Sequence, residues 1–407
     1  MTALDLRIDI PPNIKHALDS LNHAGYEAYI VGGCVRDLLL GIIPNDFDIT
    51  TSALPCEIKR VFDGFRTIDT GIVYGTVTVI INETTIEITT FRTDGVYSDN
   101  RHPNSVAFTH SLYDDLSRRD FTVNALAYSE TTGVIDRFEG IEDLNSCLIR
   151  CVGDPRKRFG EDALRIMRAL RFSAQLGFDI ESETLSAINE LAGLLLNISA
   201  ERIYNELIKL LTFDDAYRVL QLSPSVISVI IPEVDTTIAI NSLGLLGSTD
   251  SLTRLAAIIG RSELCDPVLR RLKADNHTRL AVKALLKAAE DNIRSFRRCA
   301  SSMTALDKCG LELPNAYFSA SRLTLALNGE PAEFPAKEDV LAAKSLIDIY
   351  SPDKLKLTGI DLISAGFAPG SELGRILSEL HNMCVDGTLE NDRDELLNAA
   401  KKMTTNQ

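Results

Sequence analysis

A short apolar segment that runs into two glycines limits the fold of this chain more than any other feature. The sequence YIVGGCVRDLLLG covers Tyr29 to Gly41 and is followed at once by IPNDFDIT. Apolar residues before a glycine pair indicate a buried strand that turns tightly into a helix. The second segment then brings Asp46 and Asp48 onto the next predicted strand. Strand, glycine turn, helix and strand in this order predict a mixed α/β unit.

The spacing of the two aspartates indicates a metal site. Residues i and i+2 of a strand point to the same side, so Asp46 and Asp48 present both carboxylates to one face. Magnesium prefers carboxylate oxygens, keeps several of its waters and bridges to substrate phosphates. Glu87, in the later predicted strand TIEITTFR, is suitably placed to act as a further acid if two metal ions work together. The alternatives are a solvated D-x-D at a strand end and a surface acid on an edge strand.

The glycine turn is typical of a phosphate site. Because Gly32 and Gly33 carry no side chains, backbone N–H groups and the start of the helix can face an anion. Arg36, in the first turn of that helix, can contact the same phosphate. A plain tight turn is the alternative for a glycine pair alone, whereas GG-x-x-R-D followed by D-x-D is a much more specific combination.

Strand and helix signals divide the chain into two parts. The candidate strands are residues 28–31, 46–50, 76–81 and 85–91, and INETT between the last two predicts a hairpin turn. After Asp154 the strand signals fade, and segments such as EDALRIMRALRFSAQLGF place apolar residues at every third or fourth position. We therefore predict an α+β protein in which a mixed head precedes an all-helical remainder.

Composition narrows the class of protein. A chain of 407 residues is long enough for two to four domains. It has no apolar run of about 20 residues and no signal sequence after Met1, which predicts a cytoplasmic protein without a membrane span. Its eight cysteines form no CxxC pair, so we expect neither zinc nor a disulfide framework. A net charge of −15 argues mildly against a sequence-blind nucleic-acid binder, although local basic clusters occur.

Six motifs give the chain a family resemblance. They are GGCVRD, DFDI, RRDFTVNALAY (118–128), DRFEGIEDL (136–144), GEDALRIMRALRF (160–172) and ERIYNELIKLL (201–211). Their order and spacing resemble those of the class II tRNA nucleotidyltransferases, the CCA-adding enzymes, which share their catalytic head with bacterial poly(A) polymerases. The resemblance implies a head of the DNA polymerase β type followed by a helical neck, body and tail.

The same resemblance implies the reaction and its domains. C, C and A would be added from CTP and ATP to the 3′ end of tRNA, without a nucleic-acid template. The RNA 3′-hydroxyl would attack the α-phosphate, and pyrophosphate would leave with the help of two Mg²⁺ ions. The implied domains are the head (1–150), neck (151–212), body (213–330) and tail (331–407), of which body and tail are assigned to tRNA binding on the family alone.

Site residues follow from matching the motifs position by position. Asp46 and Asp48 become metal ligands, and Gly33, Arg36 and Arg119 become nucleotide contacts. The resemblance also places four neck residues at the nucleotide: Asp162, Arg165, Arg168 and Arg171. Asp120 and Asn124 also belong to a motif, and their alternative role is a helix cap and its neighbour. Asp136 and Asp143 are expected to organise the turn between head and neck.

Asp162 and Arg165 have complementary hydrogen-bonding capacities. Asp162 accepts and Arg165 only donates, so together they can face the amino group and the ring acceptors of cytosine or adenine. Uracil and guanine present the opposite pattern and would leave polar groups unpaired. We expect both side chains on one face of one helix, because positions three apart are neighbours. Arg171 lies further round that helix, and a helix-surface ion pair is its alternative role.

Several functional alternatives remain open at the level of sequence. A bacterial poly(A) polymerase, or an enzyme adding only CC or only A, would share the head motifs. A non-enzymatic alternative is an RNA-binding module on a decayed head, against which the intact Asp46, Asp48 and Arg119 argue. The polar segment from Asp94 to Ser111 predicts a mobile surface loop, or else a passive connector. CC-adding relatives typically lack such a loop, which favours full CCA addition.

Overall fold

A computed structural model of the chain describes residues 9–95, 106–290, 319, 322–327 and 354–405. The chain divides into two compact units, residues 1–230 and 231–407. Residues 213–230, which the domain prediction assigns to the body, lie in the first of these units.

The strands of the first unit alternate with short helices before helices take over. Its strands are β1 (Ala28–Val31), β2 (Asp48–Thr51), β3 (Arg66–Ile68), β4 (Thr76–Ile81), β5 (Thr84–Thr90), β6 (Arg92–Asp94), β7 (Val106–Phe108), β8 (Leu126–Ser129), β9 (Gly133–Asp136), β10 (Leu148–Ile149) and β11 (Asp179–Ile180). Its helices are α1 (Pro12–His23), α2 (Gly33–Leu39), α3 (Pro55–Val61), α4 (Leu112–Ser117), α5 (Gly140–Asn145), α6 (Pro155–Glu161), α7 (Leu164–Leu176), α8 (Ser182–Leu191), α9 (Ala200–Leu210), α10 (Ala216–Leu222) and α11 (Pro224–Ile230).

A seven-stranded sheet with the order β3-β4-β5-β2-β1-β8-β9 forms the head. The β2–β5 pair is parallel and the other pairs are antiparallel. Alternation along β5 buries Ile86 and Ile88 and leaves Glu87 exposed. Because side chains alternate between the two faces of a sheet, one face forms the core and the other presents polar side chains.

The hairpin between β4 and β5 has a two-residue turn. Asn82 and Glu83 have φ angles of 46° and 67°, the left-handed conformation that the tightest hairpin turns require at both central positions. The predicted INETT turn is therefore confirmed. The strands predicted at 28–31 and 76–81 are confirmed as well, whereas β3, β8 and β9 are additional.

Two predictions around the head motifs are wrong in detail. Asp120 and Asn124 do not start an α-helix, because residues Thr122–Asn124 form a single 3₁₀ turn that leads into β8. The segment from Asp94 to Ser111 is not irregular throughout, since β6 pairs with β7 across it and Ser111 caps α4. Residues 96–105 of the expected mobile loop lie outside the described residues.

Helices make up the second unit as far as the structure describes it. They are α12 (Thr236–Leu246), α13 (Ser251–Ile259), α14 (Ser262–Arg271), α15 (Asn276–Glu290), α16 (Gly359–Ser364), α17 (Ser371–Val385) and α18 (Arg393–Thr405). Leu362, Ile376 and Leu380 belong to a buried apolar cluster that packs the last three together. Among the described helices, none is long and apolar enough to cross a membrane.

Candidate active site

Two carboxylates lie side by side at the centre of the sheet. Asp48 begins β2, and in the parallel β2–β5 register its partner is Glu87. Both side chains are exposed on the same face. Since β5 lies between β4 and β2, the alternative of an edge-strand position for Glu87 is wrong. Asp46 precedes the strand instead of lying within it, so the alternation argument for Asp46 and Asp48 does not hold as stated.

The pKa of Asp48 reflects the protein and the charged side chains around this carboxylate. Protein packed around the carboxylate removes part of its hydration, although its surface remains open to solvent. This desolvation raises the pKa of Asp48 to about 6, Arg119 acts in the opposite direction, and the charges of Glu87 and Asp46 add to the rise. Asp46 is thus close enough to act on Asp48 despite lying outside the strand. Negative charges held together in this way favour a bound cation.

The glycine turn is built around Arg119. Gly32 has a φ of 84°, which a residue with a side chain rarely adopts. A Cβ at Gly32 would lie 2.9 Å from Nη1 of Arg119, so the guanidinium occupies the space that the missing side chain leaves. Gly33 then begins α2. The Nε of Arg119 is buried without a hydrogen-bond partner among the described residues, which leaves one donor unsatisfied beside the turn.

Arg36 is placed differently from the prediction of an open phosphate contact. Its side chain is only 4% exposed. Nε and Nη2 donate to Oδ1 of Asp37 at 2.8 and 2.7 Å, and Nη1 donates to Oδ1 of Asn124 at 2.7 Å. Arg36 therefore supports the wall behind the glycine turn, where it links α2 to the RRDFTVNAL segment.

The helix that was expected to carry Asp162 is interrupted at that residue. α6 ends at Glu161, Asp162 has the extended angles φ −135° and ψ 103°, and α7 begins at Leu164. Oδ1 of Asp162 accepts the Leu164 N–H at 3.0 Å, and Oδ2 accepts from Nη2 of Arg202 at 3.3 Å. The prediction that Asp162 and Arg165 share a face of one continuous helix is therefore wrong, because Asp162 has extended angles between α6 and α7 and only Arg165 lies within α7.

Arg165 is buried and fixed by three acceptors. Nη1 donates to Oε2 of Glu161 at 3.1 Å and to the carbonyl of Arg158 at 3.3 Å. Nη2 donates to the carbonyl of Arg118 at 2.9 Å, which connects the helical part of the unit to the RRDF segment. The Arg165 side chain is 9% exposed.

Arg168 and Arg171 are tied to acidic partners across the fold. Arg168 Nε donates to Oδ2 of Asp120 at 2.8 Å, and Asp120 also accepts from the Asn124 side chain. Burial would raise the pKa of Asp120, but Arg168, together with the Asn124 hydrogen bond and the charge of Arg165, outweighs burial, and the pKa falls to about 2. Arg171 Nε donates to Glu206 of α9 at 2.6 Å, and both side chains are largely buried. The ion-pair alternative for Arg171 thus holds, although the pair is not on the surface.

Phe172 is a site residue that the sequence motifs did not single out. The guanidinium carbons of Arg36, Arg168 and Arg171 lie 5.1, 5.1 and 4.0 Å from its ring centroid. Cations over an aromatic face are attracted to its quadrupole. The i, i+4 spacing of Arg168 and Phe172 could have indicated one of these contacts, whereas the approach of Arg36 depends on the fold.

Of the turn residues, Asp136 holds the start of α5, which lies inside the predicted head and not between head and neck. Its carboxylate accepts the backbone N–H groups of Phe138, Gly140 and Ile141 at 2.9 to 3.1 Å. Asp143 instead accepts from the hydroxyl of Thr122 at 2.6 Å and from Arg150. Both carboxylates thus organise the segment after β9.

Comparisons with known proteins decide the family. The Poly A polymerase head domain family matches residues 28–150, the "Probable RNA and SrmB- binding site of polymerase A" family matches residues 177–223, and tRNA nucleotidyltransferase domain 2 matches residues 248–400. The CCA-adding enzyme of Limosilactobacillus fermentum is 38% identical over 404 residues, which cover 95% of each chain. The chain belongs to the CCA-adding enzyme family. The enzyme of Lacticaseibacillus paracasei in this family is 37% identical over 98% of the chain and 99% of its own length.

Solved structures of the family have the same architecture. The Bacillus stearothermophilus CCA-adding enzyme in complex with CTP is 33% identical and has a TM-score of 0.69, with 98% of this chain and 99% of that chain covered. The Thermotoga maritima CCA-adding enzyme complexed with tRNA is 23% identical, has a TM-score of 0.59 and covers 97% and 96% of the two chains. The second likeness concerns the fold alone. The predicted α+β class, a mixed head followed by helices, is confirmed.

Proposed function

We propose that this protein adds C, C and A to the 3′ end of tRNA from CTP and ATP, releases pyrophosphate, and selects the bases with its own side chains. The observation that carries the proposal is the pair of Asp48 and Glu87 at the centre of an exposed sheet face, with Asp46 close enough to act on Asp48, beside the Arg119-filled glycine turn. Carboxylates for a metal and an arginine for a phosphate are the two parts that nucleotidyl transfer requires.

The donor set fits magnesium. Asp46 and Asp48 supply hard carboxylate oxygens on an open face. Burial raises the pKa of Asp48, and the charges of Glu87 and Asp46 add to the rise, so neighbouring negative charges act on this carboxylate. Among the described residues, no group of three or more His, Cys, Asp or Glu side chains could by itself hold a metal ion. An incomplete set of protein ligands suits Mg²⁺, which keeps waters and binds substrate phosphates. When bound, Mg²⁺ would neutralise charge on the reacting phosphate, and Glu87 is proposed to assist.

The chain's own groups then position the nucleotide. We assign Gly32, Gly33 and Arg119 to the triphosphate, because the glycine turn exposes backbone and the buried Nε of Arg119 needs an acceptor. Arg36 supports this turn from behind. An in-line attack requires the RNA 3′-hydroxyl, the α-phosphorus and the leaving pyrophosphate to lie in one line, so a turn that holds the triphosphate would fix the side from which the hydroxyl attacks.

Base selection is assigned to Asp162 and Arg165. Both are largely buried, at 18% and 9% exposed, and both are held by neighbours, so their free acceptor and donor positions have defined directions. Arg168 and Arg171 are proposed to line the same region through their contacts with Phe172. A site built on fixed polar groups rejects a base whose groups leave them unpaired.

We propose a separate role for each of four domains. The head (1–150) would catalyse, the neck (151–212) would read the base, and the body (213–330) and tail (331–407) would bind tRNA. The substrates are tRNA and nucleoside triphosphates, so we place the protein in the cytoplasm.

An incorporation assay tests this function. The protein is incubated with Mg²⁺ and a tRNA that lacks its terminal CCA, with labelled CTP alone, ATP alone, or both. We expect two C residues from CTP alone and a complete CCA end from the mixture. A tRNA that ends in CC and an unstructured RNA are run in parallel. Extension of the unstructured RNA with many A residues would instead indicate a poly(A) polymerase, and arrest after CC would indicate a CC-adding enzyme.

Matched variants separate catalysis from binding. Asp46→Asn and Asp48→Asn should abolish both additions while the affinity for tRNA, measured by gel shift, stays within about two-fold, because the metal acts on the transition state. Asp63→Asn, an exposed aspartate of the same head, is the control. Absence of metal-dependent incorporation in the unaltered protein, together with tRNA binding, would leave only an RNA-binding module.

A further inference from the structure

Asp115 is a fully buried carboxylate that the site described above does not use. It lies on α4, and its side chain has no solvent exposure. A charge in such a position is costly unless it is paired and hydrogen-bonded. Asp115 meets this requirement through four partners that come from separate parts of the head.

Two of the partners are consecutive arginines. Oδ1 of Asp115 accepts from Nε and Nη2 of Arg118 at 3.0 and 2.7 Å. Oδ2 accepts from Nη2 of Arg119 at 3.4 Å. Burial alone would raise the pKa of Asp115, but the two arginines outweigh it and the pKa is lowered. Asp115 therefore remains negatively charged at neutral pH.

The other two partners belong to two different sheets, the seven-stranded sheet that carries Asp48 and Glu87 and the two-stranded sheet of β6 and β7. The Thr50 hydroxyl donates to Oδ2 of Asp115 at 3.1 Å, and Thr50 lies two residues after Asp48 on β2. The backbone N–H of Arg92, at the start of β6, donates to Oδ1 at 3.4 Å. Asp115 is thus hydrogen-bonded to β2, the strand that begins with Asp48, and it also accepts from Arg119.

Arg119 interacts electrostatically with two carboxylates. One is Asp115, at 3.4 Å, and the other is Asp48, whose ionised form Arg119 favours more than any other charge does. The Nη1 of Arg119 meanwhile fills the space beside Gly32. A guanidinium that moved from Asp115 to Asp48 would occupy carboxylate oxygens that a metal ion needs, and it would leave the glycine turn.

We infer that Asp115 is a positioning residue, which holds Arg119 at the glycine turn and away from Asp48, so that Asp48 stays available to the metal. This inference rests on the proposed role of Asp48 as a metal ligand. It predicts that the charge of Asp115 strengthens metal binding although Asp115 does not contact the metal.

Binding of Mn²⁺ to the full chain without nucleotide, measured from the electron paramagnetic resonance signal of free Mn²⁺, tests the inference. Asp115→Asn keeps the size and an acceptor oxygen but removes the charge, and we expect Mn²⁺ affinity to fall about ten-fold, as for ~1.4 kcal/mol. Asp114→Asn is the matched control on the same helix, since Asp114 contacts the Thr109 hydroxyl and neither arginine, and its affinity should equal that of the unaltered protein. Equal affinities for Asp115→Asn and the control would overturn the inference.

A double variant separates positioning from a general structural effect. In an Arg119→Gln background the competing guanidinium is absent, so Asp115→Asn should cause no further loss of Mn²⁺ affinity. A ten-fold loss that persists in this background would refute positioning through Arg119. If Asp115→Asn does not fold, Arg118→Gln provides the second test: Asp115 then keeps only Arg119, Mn²⁺ should bind at least as tightly as before, and weaker binding would contradict the inference.

The metal assignment has its own readout. Asp48→Asn should lose most Mn²⁺ affinity. Unchanged affinity in Asp48→Asn would refute the assignment and the inference together, whereas loss in Asp48→Asn without loss in Asp115→Asn would refute the inference alone.

Discussion

Replacing Asp120 with asparagine removes the charge that joins the RRDF segment to α7. Oδ2 of Asp120 pairs with Arg168, and Oδ1 accepts the Phe121 N–H at 2.9 Å and the Asn124 side chain at 3.1 Å. Asparagine keeps one acceptor for these neutral donors. The variant therefore tests the ion pair with little change in shape.

The expected magnitude follows from the pKa of Asp120. A fall from the ordinary 3.8 to about 2 corresponds to roughly 2 kcal/mol, because one pKa unit is worth about 1.4 kcal/mol. Breaking a buried ion pair typically costs about 3–5 kcal/mol, and an exposed pair contributes at most about 1 kcal/mol. Because the Arg168 side chain is still 34% exposed, we expect a loss of about 2 kcal/mol in the free energy of unfolding of the first unit.

Unfolding in urea, monitored by hydrogen exchange in peptides from α7, measures this loss of stability in the first unit. The pKa of Asp120 is depressed in the folded state, so its contribution is fully present above the unfolded pKa of 3.8 and is lost as the pH falls towards 2. The difference between the unaltered protein and Asp120→Asn should be about 2 kcal/mol at pH 7 and about half of that at pH 3.

The double variant Asp120→Asn/Arg168→Gln provides the control. It replaces the ion pair with a neutral pair, so it should be more stable than Asp120→Asn alone, in which Arg168 lacks its acidic partner. A loss below about 0.5 kcal/mol at pH 7, which is the range of ordinary surface substitutions, would refute the reasoning. A loss that stays constant between pH 7 and pH 3 would refute it as well.

Three further predictions concern the reaction. Mn²⁺ affinity should fall about ten-fold per pH unit below pH 6, because the pKa of Asp48 is about 6 and a proton on Asp48 competes with the metal. A Mn²⁺ affinity that is independent of pH between 5 and 7 would contradict this. Asp162→Ala should slow addition and relax base choice, since the amino group of cytosine or adenine loses its acceptor; unchanged rejection of UTP and GTP in competition assays would assign base reading to another group. Shortening the segment between Val96 and Val106 should spare C addition and abolish A addition on a tRNA that ends in CC, whereas equal loss of both would mean that the segment serves only the fold.

Local patterns predicted those parts of the head in which short-range chemistry decides the structure. The INETT segment between two predicted strands identified the hairpin, because turn geometry is a property of neighbouring residues. The break at Asp162 escaped the same reasoning. Buried Phe159, Ala163 and Ile166 keep a helix-like spacing across the break, so the apolar pattern continues although the backbone does not.

The partners of the arginines could not be predicted from spacing. Arg168 and Asp120 are 48 residues apart, and Arg171 and Glu206 are 35 apart. Such pairs depend on which elements the fold brings together. The two partners of each pair belong to different motifs, and the motifs do not show which residues meet. The position of Glu87 beside Asp48 likewise required the parallel pairing of β2 and β5, which connects distant parts of the chain.

The three hydrogen bonds that hold Arg165 have a consequence for the thermodynamics of nucleotide recognition. A free arginine side chain loses up to about 2 kcal/mol of rotamer entropy when it is immobilised. Arg165 has already lost this freedom on folding, because Glu161 and the carbonyls of Arg158 and Arg118 fix its guanidinium. In the base-reading role proposed for Arg165, an incoming base would meet a side chain that needs no further ordering, and a mismatched base would meet one that cannot turn aside to accommodate it.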